Sequence, residues 1–126
     1  NTKYTGSVRW SAVVEIFSDF SNSINSGTGF RNSSTKLYAV KQGRQATIHF
    51  YGKKSSTTSS SAIDLITLPS IWDPNIDASC ALMNYTNDVQ VGMAWINGDV
   101  HVKIHPQSEL GANTELDFAL TYTTVS

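Results

Sequence analysis

The chain has 126 residues, a formal net charge of −1 and charged residues at only 15 %, which is one domain's length and too little basic charge to make nucleic acid the main partner, since phosphate binding needs a basic face. The same balance speaks against a membrane-surface role, and no run reaches the roughly 20 apolar residues of a membrane span. The polar surface is made of uncharged groups instead, with 17 Ser, 13 Thr and 9 Asn, a composition shared with extracellular and viral β proteins.

Taken in chain order, Ser7 to Phe17 reads as a strand with Val8, Trp10, Ala12 and Val14 on one side. Trp10, Val13, Val14 and Phe17 also fit a helical spacing. Ser18 to Ser34 is a long Ser/Asn/Gly loop, or carries one short turn of its own. Leu37 to Lys54 is a hairpin around Gln42-Gly43. It pairs Ala39 with Ala46 and Leu37 with Ile48, with Phe50 on the same face. Gln45, Thr47, His49 and Tyr51 alternate to the other side. Ser55 to Ser61 is a low-complexity exposed connection. Ala62 to Leu68 is a short strand ended by Pro69. Pro69 to Ala78 is a structured turn in which Trp72 needs a place for its ring. Cys80 to Tyr85 gives another strand.

The strongest local signal is Asn97-Gly98 between the apolar alternations of Val89 to His105. A two-residue turn there sets Trp95 against Val100, Met93 against Val102 and Val91 against Ile104 on one apolar face. Asp99, His101, Lys103 and His105 then stand on the other face, over a low floor of Gly92 and Ala94. Thr114 to Val125 alternates again, with Leu116, Phe118, Leu120 and Tyr122 together. Short strands spaced by turns, without a long helix, predict an all-β fold: a compact antiparallel β-barrel or jelly-roll-like sandwich. There is no internal repeat and no second composition regime, so 1–126 reads as a single domain. The first residue, Asn1, reads as the start of a fragment or processed product.

Catalysis finds little support. The sequence has no phosphate-cradling glycine loop, no G-x-S-x-G elbow and no spacing that makes a triad. Glu115 and Asp117 share a strand face, where such pairs are usually a solvated edge. His101 and His105 stand about 13 Å apart by strand rise, too far for one metal. The lone Cys80 excludes a disulfide framework and a cysteine zinc site, and reads as a small buried hydrophobe. The expectation is a non-enzyme without cofactor or metal. Saccharide binding suits the residues better, because sugars are held by aromatic rings on their apolar faces and by planar polar groups on their hydroxyls. The candidates are Asp99, His101, Trp95, His105, Trp72 and Tyr85, with Arg44 also in view. Trp95 faces the core in the expected register, while Asp99, His101 and His105 point away from it. The sequons at Asn32 and Asn84 carry no weight in a chain so rich in Asn, Ser and Thr.

One further pattern spans 36–125: the Leu37 to Lys54 strand pair, a Ser/Thr loop, ITLPSIWDP (Ile66 to Pro74), the INGDVHVKI hairpin (Ile96 to Ile104) and the closing ALTYTT (Ala119 to Thr124). In this order of turns and strand ends the chain resembles the C-terminal head domains of bacteriophage receptor-binding proteins and tail-fibre tips, nearest to those on baseplates of phages of Gram-positive bacteria such as lactococci. The resemblance implies a β-barrel or jelly-roll head, a homotrimer, and non-catalytic adsorption to host cell-wall saccharide or phosphopolysaccharide. It implies a place on the virion, at the tail tip or baseplate, with other tail proteins as partners through a preceding N-terminal part. It carries the ligand role onto Asp99 and His101, and onto Trp95 before the turn. If His101 meets a phosphorylated saccharide, binding should strengthen as pH falls through the usual histidine range. Residues 1–35 depart from the pattern, since no heptad of a shaft is present. The alternatives are a monomeric carbohydrate-binding module, or a baseplate accessory or structural domain.

Overall fold

The computed structural model describes residues 15–57 and 61–126. The strand expected over Ser7 to Phe17 lies mostly outside them, as do Val8, Trp10 and their neighbours. The described chain forms eight antiparallel strands: β1 (Glu15–Asp19), β2 (Lys36–Gln42), β3 (Gln45–Lys53), β4 (Ile63–Thr67), β5 (Ala78–Asn84), β6 (Val89–Ile96), β7 (His101–Pro106) and β8 (Glu115–Thr123). Single 3-10 turns lie at Ser21–Ser23 and Ser70–Trp72. All eight strands belong to one sheet, in the order β1-β2-β3-β8-β5-β6-β7-β4, curled into a half-barrel. Two meanders, β1 to β3 and β5 to β7, are thus joined through β8. The middle strand of the sequence, β4, crosses to the far edge beside β7.

The core lies on the concave side. Leu37 and Ala39 of β2, Ala46, Ile48 and Phe50 of β3, and Leu116, Phe118, Leu120 and Tyr122 of β8 are all buried, as period-two alternation requires. Phe50 stacks on Phe118 at 5.2 Å, and Phe30 meets Phe50 edge-on at 5.5 Å. The long loop after β1 is less bare than its composition promises. It holds one 3-10 turn and delivers Ile24 and Phe30 into the core. At Asn25 it reaches the opposite edge of the sheet, where the backbone N–H bonds Leu65 O (2.8 Å) and the side-chain amide bonds Asp64 O (3.0 Å). These bonds occupy acceptors of edge strand β4 that a neighbouring chain would otherwise find open. Lys54 is buried beside this loop. Its ammonium donates to Thr28 O (2.9 Å) and lies 4.9 Å from the centre of the Phe30 ring, and burial lowers its pKa.

Both expected hairpin registers change, with different consequences. The β2–β3 turn is Gly43-Arg44, not Gln42-Gly43, so Ala39 pairs with Ile48 and Leu37 with Phe50. Gly43 takes φ +58 at the first turn position, where the tight hairpin turns that begin with glycine need it. A slip of two residues leaves every side chain on its expected face. At Asn97-Gly98 the slip is odd. The loop is one residue longer: Asn97 O accepts from Val100 N (2.8 Å), and Val100 takes the left-handed φ of +60 before the strand resumes. Trp95 therefore pairs with Lys103 and Met93 with His105, while Ala94 pairs with Ile104 and Ile96 with Val102. The faces of β6 are exchanged relative to the expectation, while β7 keeps Val102 and Ile104 inside and its histidines outside. Ala94, Ile96, Val102 and Ile104 fill the core, and Trp95 joins the histidines outside. A β-branched residue at positive φ costs energy. Val100 offsets it by packing partly against the core and by accepting Leu68 N at 2.9 Å.

Candidate functional site

Among the described residues, two clefts with aromatic walls lie on the convex face of the sheet. The first lies on β6 and β7. It has a volume of about 370 Å³ and is lined by Gln90, Gly92, Met93, Trp95, His105 and Gln107. The exchanged register creates it, because Trp95 and Met93 now stand on the same side as His105. Trp95 is half-buried and Met93 is 41 % exposed, so an apolar platform faces solvent. The Gln90 amide is fixed from below by bonds to Gly92 O (3.1 Å) and the Met93 sulfur (3.4 Å). Gln107 extends the ladder past Pro106 through its N–H to Val91 O (2.8 Å). Gly92 forms the floor.

The second cleft lies on β2, β3 and β8. It measures about 380 Å³, and Lys36, Tyr38, His49, Tyr51, Tyr85 and Asp117 lie on its rim around Ala119. Pairing places Tyr38, His49 and Ala119 in one row, and Lys36, Tyr51 and Asp117 in the next. Tyr85 comes from the β5–β6 turn. There the Asn84 side chain accepts the N–H of Thr86 (2.9 Å) and Asn87 (3.4 Å), and Tyr85 N bonds Glu115 O (2.8 Å). The Tyr85 ring meets Tyr51 edge-on at 5.0 Å, and Phe17 leans on Tyr38 at 5.7 Å.

Electrostatics differ along this rim. The Tyr51 hydroxyl donates to the Glu115 carboxylate, which also accepts from Thr86 Oγ1 at 3.2 Å. That bond raises the Tyr51 pKa to about 12, with burial adding to it, and it holds Glu115 below the usual carboxylate range. A phenol whose pKa is raised by folding stabilises the fold below its unfolded pKa, and this support is lost as pH rises through the folded value. Glu115→Gln should therefore bring the Tyr51 ionisation down towards the ordinary tyrosine pKa of about 10. Phenolate absorbance measured against pH, with Tyr51→Phe as the blank, checks this; an unmoved titration would refute the coupling. Asp117 shifts the other way. Burial, and then the Asp88 charge, raise its pKa.

The six predicted ligand residues divide. Trp95 and His105 come together in the first cleft, and Tyr85 belongs to the second. The core position expected for Trp95 is corrected by the register. Trp72 is fully buried and presents no surface to a ligand; Phe20 packs edge-on against it. Asp99 is exposed in the hairpin turn, its N–H bonded to Asn97 Oδ1 (3.2 Å). His101 is held at the β4–β7 edge, with Nδ1 2.7 Å from Asp64 Oδ2 and 3.1 Å from Thr67 Oγ1. Neither residue lines either cleft. Arg44 supports the backbone, its Nε donating to Thr124 O (3.0 Å). Sequence reasoning missed Gln90 and Gln107, and missed Tyr38, His49 and Tyr51 as a group. His49 and Tyr51 were legible as outward-facing, but only the order of strands brings Tyr85 to them.

Cys80 is half-buried against the core, and burial raises its thiol pKa to about 11, so it is poorly nucleophilic at neutral pH. Among the described residues no group of three or more His, Cys, Asp or Glu is placed to hold a metal ion. No protein-family model matches the chain, and no curated protein matches it.

Proposed function

We propose that this chain is a non-catalytic saccharide-binding head that adsorbs a virion to polysaccharide on a host cell surface, and that the cleft on β6 and β7 is its main ligand site. One observation carries the reading: an indole, two carboxamides and an imidazole line a single open cleft. The Trp95 ring supports the apolar face of a pyranose, while the Gln107 amide offers a donor and an acceptor, and Gln90 its carbonyl oxygen, for neighbouring hydroxyls. The volume falls at the low end of the usual range for ligand clefts, about 300–1,000 Å³, which suits one or two sugar rings better than a buried cofactor. Weak sites of this kind gain strength through repetition, and that accords with a trimeric head on a tail tip or baseplate.

The decisive test uses Trp95→Ala and wall polysaccharide of candidate hosts. Trp95 is only half-buried, so the variant is expected to fold. Its binding should fall about tenfold or more, equivalent to about 1.4 kcal/mol. Undiminished binding by the folded variant would remove the site. Light scattering on the whole protein tests the assembly: a mass of three times 13.8 kDa fits the head. A mass of one chain would instead place the same cleft on a monomeric carbohydrate-binding module.

A further inference from the structure

The second cleft has a chemistry of its own. Its walls are tyrosine rings whose faces carry negative quadrupole potential. Two of those rings are locked, Tyr51 by its bond to Glu115 and Tyr85 by its edge contact with Tyr51. Beside them, the Asp117 carboxylate makes no hydrogen bond or ion pair with any described residue, although the residue is half-buried. A half-buried carboxylate without a partner is costly, and a cation seated among the rings would relieve it. The small Ala119 side chain leaves the space in front. A bare metal ion would need several oxygen ligands, whereas a bulky, weakly hydrated organic cation needs ring faces and one countercharge. Lys36 sits across Tyr51 from Asp117 on the same row. The cleft thus has a negative end and a positive end, with an aromatic wall between them.

We infer that the tyrosine cleft binds a zwitterionic substituent of the phosphocholine class, with its alkylated ammonium among Tyr51, Tyr85 and Asp117 and its phosphate towards Lys36. The inference deepens the adsorption reading by naming a substituent of the recognised polymer. It concerns a site separated from the tryptophan cleft by strand β5, so either can fail without the other.

The test titrates the whole protein with phosphocholine, choline and inorganic phosphate while following the tyrosine ring NMR signals. Phosphocholine should saturate at about millimolar concentration, choline somewhat more weakly, and phosphate alone not at all. Tyr85→Ala and Asp117→Asn should each weaken choline about fivefold or more; Tyr85 is 58 % exposed, so its removal spares the core. Lys36→Ala should reduce phosphocholine to the affinity of choline and leave choline unchanged. Trp95→Ala should leave both unchanged, which separates this site from the other cleft. The inference is overturned if neither choline nor phosphocholine saturates, if phosphate binds as well as phosphocholine, or if the Tyr85 and Asp117 variants bind choline as the parent does.

Discussion

Trp72→Ala is expected to remove about 3–5 kcal/mol of folding stability, the range for deleting a large buried aromatic side chain. Trp72 is fully buried on a single 3-10 turn, Ser70–Trp72, that connects β4 to β5. Its N–H bonds Pro69 O (3.0 Å), and its carbonyl accepts the Tyr122 hydroxyl at 2.6 Å. Both the backbone and the ring are therefore anchored, and the surroundings have little freedom to collapse into the space the indole leaves. The Phe20 ring, 6.2 Å away and edge-on, would lose an aromatic neighbour. Against an ordinary domain stability of about 5–15 kcal/mol, the loss is a large fraction. Melting should fall by about 10–20 °C at the few degrees per kcal/mol usual for this size. Tyr122→Phe leaves the ring and strands the Trp72 carbonyl, so it should cost less, about 1–3 kcal/mol. Urea unfolding of the two variants checks the order. A Trp72→Ala midpoint close to the parent would show that the indole is not the anchor of this end of the core.

The contrast with Trp95 shows what the sequence could and could not convey. Both tryptophans sit among apolar residues, and composition alone does not separate them. The alternation in β8 was decisive because bulky apolar residues occupy one parity throughout, from Leu116 to Tyr122. In β6 both parities carry apolar groups: Val91, Met93 and Trp95 on one, Ala94 and Ile96 on the other. The face then depends on the length of the turn. Asn-Gly favours two residues, and the chain uses three, with Val100 taking a conformation that glycine or asparagine would occupy more readily. Val102 and Ile104 are inside in either register, so the turn decides only whether β6 buries Ala94 and Ile96 or Met93 and Trp95, and the chain buries the first pair. At Gly43 the same competition had no such consequence, because the slip was even. Strand order is a further step removed. Nothing local places β8 between β3 and β5, yet that placement sets Tyr51 beside Tyr85 and Asp117. The separation of His101 from the clefts likewise follows from the neighbour chosen by β7, since β4 brings Asp64 to it.

Gly92→Ala should damage both the fold and the main ligand cleft. Gly92 is paired with Pro106 on β7 and with Leu82 on β5. A methyl group added there would lie 2.2 Å from His105 O and 2.9 Å from Pro106 Cα. Both are backbone atoms, so no rotamer change makes room, and β7 must move away from β6. Overpacking of this kind costs about 1–3 kcal/mol, sometimes more, which offsets the few tenths to about 1 kcal/mol that alanine ordinarily gains over glycine through the unfolded chain. The displacement has a functional consequence that stability alone does not predict. His105 is carried on β7 and Gln107 follows directly after it, so the bond from Gln107 N–H to Val91 O of β6 would be stretched, whereas Trp95 and Gln90 stay with β6. Moving β7 therefore separates the imidazole and one carboxamide from the indole and the other carboxamide. Gly92→Ala should lower the unfolding midpoint and, in the protein that remains folded, weaken saccharide binding. Trp95→Ala should weaken binding with a much smaller change in midpoint. Parent-like binding by folded Gly92→Ala would mean that saccharide contact does not need both strands, and the ligand site would contract to Trp95 and Gln90 on β6 alone.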